Sequence, residues 1–134
     1  MSYHSQHGQD IFLHQRFFQG CHDLTFVEVG ALDGLLHSNT LFFEQELRWR
    51  GVLVEPNPAA FALLERNRPN CATENAALSD HDGMQRFTQI SGDFFGWSGL
   101  SDNMEAEHRS RINRLIPNTA VREFGVRTVS PATL

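Results

Sequence analysis

Residues 24–34 read LTFVEVGALDG. The run LTFVEVG (24–30) is short, apolar and closed by glycine, which is the pattern of a buried strand. A turn with two glycines, Gly30 and Gly34, follows, and it carries an acid, Asp33. Glycine has no Cβ, so it tolerates positive φ and lets a ligand approach the backbone closely. The dinucleotide fingerprint Gly-x-Gly-x-x-Gly is not met. Leu32 stands where the middle glycine belongs, and Asp33 places negative charge where a pyrophosphate would sit. A phosphate-binding P-loop is excluded too, because no Gly-Lys-Ser/Thr follows.

Outward from this turn the chain alternates. SNTLFFEQELRW (38–49) has Leu41, Phe42 and Leu47 at helical spacing, with Ser38 or Asn39 as its N-cap. GVLVEPNP (51–58) reads as a second buried strand punctuated by Pro and Asn. PAAFALLERNRP (58–69) reads as a helix with Pro in its first turn and Phe61, Leu63 and Leu64 inward. ATENAALSD (72–80) reads as a third strand ending in an acid. Strand, helix, strand, helix, strand predicts an α/β fold with parallel strands and right-handed crossovers.

The flanks add less. Residues 1–23 form a lead-in whose DIFLHQRFF (10–18) fits a short amphipathic helix, capped by Asp10 and ended by Gly20. After a turn at HDG (81–83), MQRFTQI (84–90) alternates like a half-exposed strand. SGDFFGWSGLSD (91–102) reads as a loop, EAEHRSRINRLI (105–116) as a helix and REFGVRTVS (122–130) as one more strand. The expected organisation is one domain over 1–134, with a ligand-binding βαβαβ core over 24–80.

Composition sets the outer bounds. A chain of 134 residues with 40% hydrophobic and 20% charged residues is globular and suits one domain. The net charge of −5 argues against a nucleic-acid partner. The basic residues are all arginine, and the 11 phenylalanines read as core packing. Cys21 and Cys71 form no CxxC pair and read as free thiols of a reducing compartment. No apolar stretch approaches the ~20 residues that span a bilayer, and the N-terminus has no leader pattern. The expected location is cytoplasmic, with no membrane partner.

An acidic strand-end loop suits a ligand that is cationic or rich in hydroxyl and amino donors. S-adenosylmethionine has both, with a sulfonium, an α-amino group and ribose hydroxyls. Glu55 ends the second strand, beside the first at its carboxyl end, and a carboxylate there can accept both ribose hydroxyls. Asp80, at the end of the third, is placed for the adenine amino group. Three acids at successive strand ends point to an adenosyl cofactor more strongly than any one alone.

These residues resemble a known family. SQHGQD (5–10), TFVEVGALDG (25–34), HSNTLFFEQELRWRGVLVEPNP (37–58), NRP (67–69) and NAALSD (75–80) look like the FkbM-type S-adenosylmethionine-dependent methyltransferases. The likeness is dense over residues 5–80 and looser from SGL (98–100) onward. It implies a Rossmann-like class I methyltransferase fold, three-layer α/β/α with a mainly parallel sheet. It implies methyl transfer to a hydroxyl oxygen of a sugar or secondary metabolite, so a small-molecule or glycan acceptor. Carried onto this sequence, Gly30, Asp33 and Gly34 form the first cofactor loop, Glu55 is the ribose acid and Asp80 lies near the adenine. Gln9, Ser38 and Asn39 line the cofactor or acceptor cleft. No catalytic residue is identified.

Family members continue after a segment like VRTVSPATL (126–134) into a helix and a fourth central strand. The expectation is therefore a domain without its C-terminal strands, impaired for turnover in isolation. Strand 1 (Leu24 to Val29) would then be an apolar edge, open to a partner chain or to self-association. The rival readings are a non-catalytic binding module that uses this edge and an NAD-dependent enzyme, which the missing glycine and Asp33 oppose.

Other constellations carry less. His4, His7, His14 and His22 lack the acidic or Cys partners a metal site prefers, so no metal is expected. His37, beside the loop, is a general-base candidate near neutral pH, and its plain alternative is a polar loop residue. Ser98 in GWSGL misses the spacing of a hydrolase elbow. Phe94, Phe95 and Trp97 form an aromatic loop suited to covering an acceptor or the open sheet edge.

Overall fold

The structure is a computed structural model and describes residues 2–134. The chain folds as two compact units, one running to Asn75 and the other Ala76–Leu134.

In the first unit β1 (Thr25–Val29), β2 (Arg50–Val54) and β3 (Ala72–Glu74) form a parallel sheet in the order β1-β2-β3. The crossovers are α2 (Leu41–Leu47) and α3 (Pro58–Asn67). Asn57 caps α3 by accepting from the Ala59 N–H at 3.0 Å, with Pro58 opening the helix. Register pairs Phe26 with Gly51 and Glu28 with Leu53 on one sheet face, and Val27 with Val52 and Val29 with Val54 on the other. Both helices pack on the Phe26 face. Leu53, Leu64 and Ala31 cluster with Phe26 and Phe61, while Phe42, Phe43, Leu47 and Trp49 cluster with Phe18 and Phe26. A Cβ on Gly51 would run into Phe26, so the second position of β2 holds the one residue that fits.

The opposite face leaves Val27 58% and Val29 49% exposed. Within this unit the helices therefore cover one face, whereas the apolar run of β1 predicts cover on both.

Asp10 is not the helix cap. Helix α1 (Gln9–Leu13) starts before it and runs into a π-helical turn, His14–Phe18. The buried Asp10 carboxylate instead accepts the N–H groups of His4 (2.6 Å) and Ser5 (3.0 Å) and the Ser5 hydroxyl (2.5 Å). Burial pushes this carboxyl up, but the Ser5 hydroxyl and the backbone N–H bonds outweigh it and hold it below its ordinary value.

Residues 72–80 are not one strand. β3 ends at Glu74, and β4 (Ala77–Leu78) belongs to the sheet of the second unit. Between them the Asn75 amide donates to the Glu55 carbonyl at 2.8 Å, a side-chain bond that competes with continuing the ladder. The second unit is a mixed sheet, β4-β7-β5-β6, built on the long antiparallel pair β5 (Gly83–Ile90) and β7 (Val121–Val129). The aromatic segment forms a 3₁₀ turn, Gly92–Trp97, and the two-residue β6 (Gly99–Leu100). Helix α4 (Ala106–Leu115) seats Ile112 against Ile90 and Ile116, with Trp97 alongside.

Candidate functional site

The loop after β1 is built by its neighbours. The N–H groups of Gly30 and Ala31 both donate to the Val54 carbonyl, at 2.8 and 3.1 Å, so the chain turns across the end of β2. Gly30, Leu32, Gly34 and His37 all have positive φ. Leu32 is thus in a left-handed conformation, at 52°, at the position where the dinucleotide pattern would put glycine. The Leu32 N–H donates to the Glu55 carboxylate at 2.8 Å, which holds a conformation that side chains disfavour.

Glu55 is buried. Its second oxygen accepts the Asn57 N–H at 2.8 Å. Burial raises its pKa above the ordinary value, against the pull of the two N–H bonds. The structure therefore joins the predicted Gly30–Gly34 loop to the predicted Glu55 through one bond from the Leu32 N–H to the Glu55 carboxylate. Each carboxylate oxygen keeps acceptor capacity beyond its single N–H.

Asp33 shapes the loop, since its carboxylate accepts the N–H groups of Leu35 and Leu36 at 2.9 and 2.8 Å. The Asn39 side chain is exposed, and its N–H donates to Glu28 at 2.8 Å. Ser38, not Asn39, serves the start of α2, with its hydroxyl oxygen accepting from the Leu41 N–H at 3.1 Å. Gln9 is exposed and accepts the His7 N–H.

Asp80 lies in the second unit, past β4, with its carboxylate 2.6 Å from the His81 ring; that bond, more than any other cause, holds its pKa below the ordinary value. It does not end a strand of the β1-β2-β3 sheet. Ser98 is a brace: its hydroxyl accepts the Ile90 N–H at 2.9 Å and donates to the Phe95 carbonyl at 2.7 Å.

Two residues that sequence reasoning missed organise the loop. Glu28, on the covered face of β1, accepts the Ser38 and Thr40 hydroxyls at 2.9 and 2.5 Å. Arg68, 1% exposed just past α3, pairs with Glu44 and donates to the Gly34 carbonyl (2.9 Å), the Ser38 hydroxyl (3.2 Å) and the Thr40 hydroxyl (3.1 Å). The signals were present: a lone acid inside an apolar strand, and an arginine in the NRP turn. Neither type is left buried without partners.

Among the described residues, no helix is long and apolar enough to cross a membrane, and no group of three His, Cys, Asp or Glu side chains could hold a metal ion. The model of the methyltransferase FkbM domain family matches residues 28–132. The chain belongs to the FkbM methyltransferase family. No curated protein and no solved structure matches it. The match to the FkbM domain begins at Glu28, so it takes in the loop, its Glu28 and Arg68 anchors and Glu55, and it extends through β7 of the second unit.

Proposed function

We propose that this FkbM domain binds S-adenosylmethionine on the 30–39 loop and directs its methyl group to a hydroxyl oxygen of a sugar or secondary metabolite. The observation that carries the reading is the Leu32–Glu55 bond, which sets an open glycine turn and a buried acid side by side at adjacent strand ends. A Cβ on Gly30 would meet nothing within 4 Å, so the loop backbone is open to a ligand.

When bound, S-adenosylmethionine supplies an electrophilic methyl on sulfur. The chain's share is binding and orientation. Glu55 accepts the two ribose hydroxyls with its remaining lone pairs, and Asp33 adds negative charge near the cationic end. Asn39 contributes its exposed amide at the rim of the loop.

The test is calorimetric titration with S-adenosylhomocysteine, with NAD as control. Binding in roughly the micromolar range, lost in Glu55→Ala and absent for NAD, is the expected outcome. A folded chain that ignores S-adenosylhomocysteine, or prefers NAD, would overturn the reading.

A second reading has its own observation. β1 is an edge strand with Val27 and Val29 exposed, which suits pairing with a second copy of the chain. Sedimentation equilibrium tests it: a monomer at all concentrations rejects self-pairing, and a dimer abolished by Val27→Lys supports it.

A further inference from the structure

The second unit holds a cleft of about 400 Å³, a size within the ~300–1,000 Å³ range of small-molecule sites. Its aromatic wall is Trp97, which is partly exposed. The indole packs with the Ile90, Ile112 and Ile116 cluster, and it has the Phe94 ring 5.0 Å and the His108 ring 5.7 Å away. Leu100 and Met104 extend the apolar wall.

The polar lining holds one full charge. His108 is neutral where its Nε2 lies 3.0 Å from the Trp97 carbonyl oxygen. A carbonyl only accepts, so Nε2 carries the hydrogen, and Nδ1 of the neutral ring is an acceptor. The Ser98 hydroxyl is already committed to the Ile90 N–H and the Phe95 carbonyl. The charge is the carboxylate of Glu105, exposed at the N-cap of α4. Its side chain makes no capping hydrogen bond, and it has no ion pair among the described residues. Arg109, one turn on, has the spacing of a helical ion-pair partner but donates to the Ser101 carbonyl instead. The start of a helix carries about half a positive charge. The full negative charge of Glu105 outweighs it, so the cleft favours a cation over an anion.

We propose that this cleft binds an alkylated ammonium ion, with the charged head against the Trp97 ring and the Glu105 carboxylate. This binding is independent of the cofactor chemistry at the 30–39 loop. Trp is the aromatic side chain that attracts a cation most strongly, within about 6 Å of its ring centroid. Glu105 supplies the countercharge. Alkyl groups on nitrogen bury apolar surface against Leu100 and Met104. They also replace the N–H donors that a bare ammonium must have satisfied. An anion is opposed by Glu105. An uncharged isostere keeps the apolar contact but forfeits both electrostatic attractions.

The experiment is nitrogen–proton correlation spectroscopy on the whole chain at constant ionic strength. The indole N–H of Trp97 is the reporter, and that of Trp49, bonded to the Cys21 carbonyl at 2.7 Å, is the reference. The probes are choline and the neutral alcohol in which carbon replaces the choline nitrogen. The expected result is a saturable shift of Trp97 with choline, at roughly millimolar Kd, and no shift of Trp49. The neutral alcohol should bind about tenfold more weakly or not at all. Glu105→Gln should weaken choline binding about tenfold. Glu107→Gln, at an exposed residue paired with Arg111 and outside the cleft, should leave it unchanged. The dispersion of the remaining signals shows that each variant is folded. Silence of Trp97 toward choline overturns the proposal, as does full binding retained in Glu105→Gln. An alcohol that binds as well as choline also overturns it, because the cleft is then merely apolar. Equal losses in the two variants do the same, because the attraction is then one of general charge and not of this cleft.

Discussion

The Arg68 guanidinium donates to the Gly34 carbonyl at 2.9 Å, across 34 residues of chain and almost wholly out of water. The same side chain pairs with Glu44 and reaches Ser38 and Thr40. One cation thus ties the turn after β1 to the start of α2 and the end of α3. A buried charge is costly unless paired and fully hydrogen-bonded, and breaking such a pair costs more than the pair contributes.

Arg68→Met should therefore destabilise the domain by about 3–5 kcal/mol, because it leaves Glu44 beside an apolar side chain. Arg68→Lys should recover only part of this, since an ammonium cannot span four acceptors as a planar fork does. Urea unfolding of both variants measures it. A loss in Arg68→Met no larger than that of a surface substitution would show that the network is not holding the loop.

The two loop glycines should fail differently. A Cβ on Gly34 would sit 2.6 Å from Arg68 Cγ and 2.7 Å from Leu64 Cδ1, at a φ of 81°. Gly34→Ala should cost roughly 2–5 kcal/mol, combining overpacking with the left-handed penalty. Gly30 has a φ of 75° but open space, so Gly30→Ala should cost only about 1–2 kcal/mol. Calorimetry should nevertheless show that Gly30→Ala loses S-adenosylhomocysteine, because the new methyl occupies the approach to the backbone. Equal stability losses in the two variants would contradict this assignment.

Glu55 makes stability depend on pH. Burial lifts its pKa above the ordinary 4.5, and the N–H bonds from Asn57 and Leu32 only partly offset it. The folded chain then holds this proton where the unfolded chain has released it. Stability therefore falls as pH rises from the ordinary value through the folded one; the cost is absent below that window and complete above it. Glu55→Gln does not titrate, so its urea midpoint should be flatter through the window. It should also be lower overall by about 1–3 kcal/mol, because its amide nitrogen faces one of the two N–H donors. An unchanged slope would locate the titration elsewhere.

Ser98 should behave as structure. Ser98→Ala leaves the Ile90 N–H, at the end of β5, without its acceptor. A thermal scan should show a loss equivalent to about 1–3 kcal/mol. Wild-type stability would mean that water replaces the hydroxyl.

Much of the fold was legible because period and punctuation are local. LTFVEVG, GVLVEPNP and PAAFALLERN became β1, β2 and α3 near their expected bounds, and the alternation of MQRFTQI became β5. The errors came from competition that local pattern does not show. ATENAALSD has the composition of one strand, but the Asn75 amide takes the Glu55 carbonyl and the chain leaves for a second sheet, carrying Asp80 with it. Asp10 has the chemistry of a cap, but its carboxylate satisfies N–H groups of the preceding turn.

The sequence by itself determined the parallel order of β1, β2 and β3, the glycine turn and the acid at the end of β2, because strand period, glycine and acid placement are written residue by residue. Only the tertiary structure decided that Leu32 takes the left-handed place of a glycine, that Asp33 and Ser38 are spent on the loop's own N–H groups, and that Arg68 and Glu28 hold the loop from below. Hydrogen-bond satisfaction is the reason. A buried polar group must find its partners wherever the folded chain brings them, and Arg68 finds its own 24 to 34 residues away.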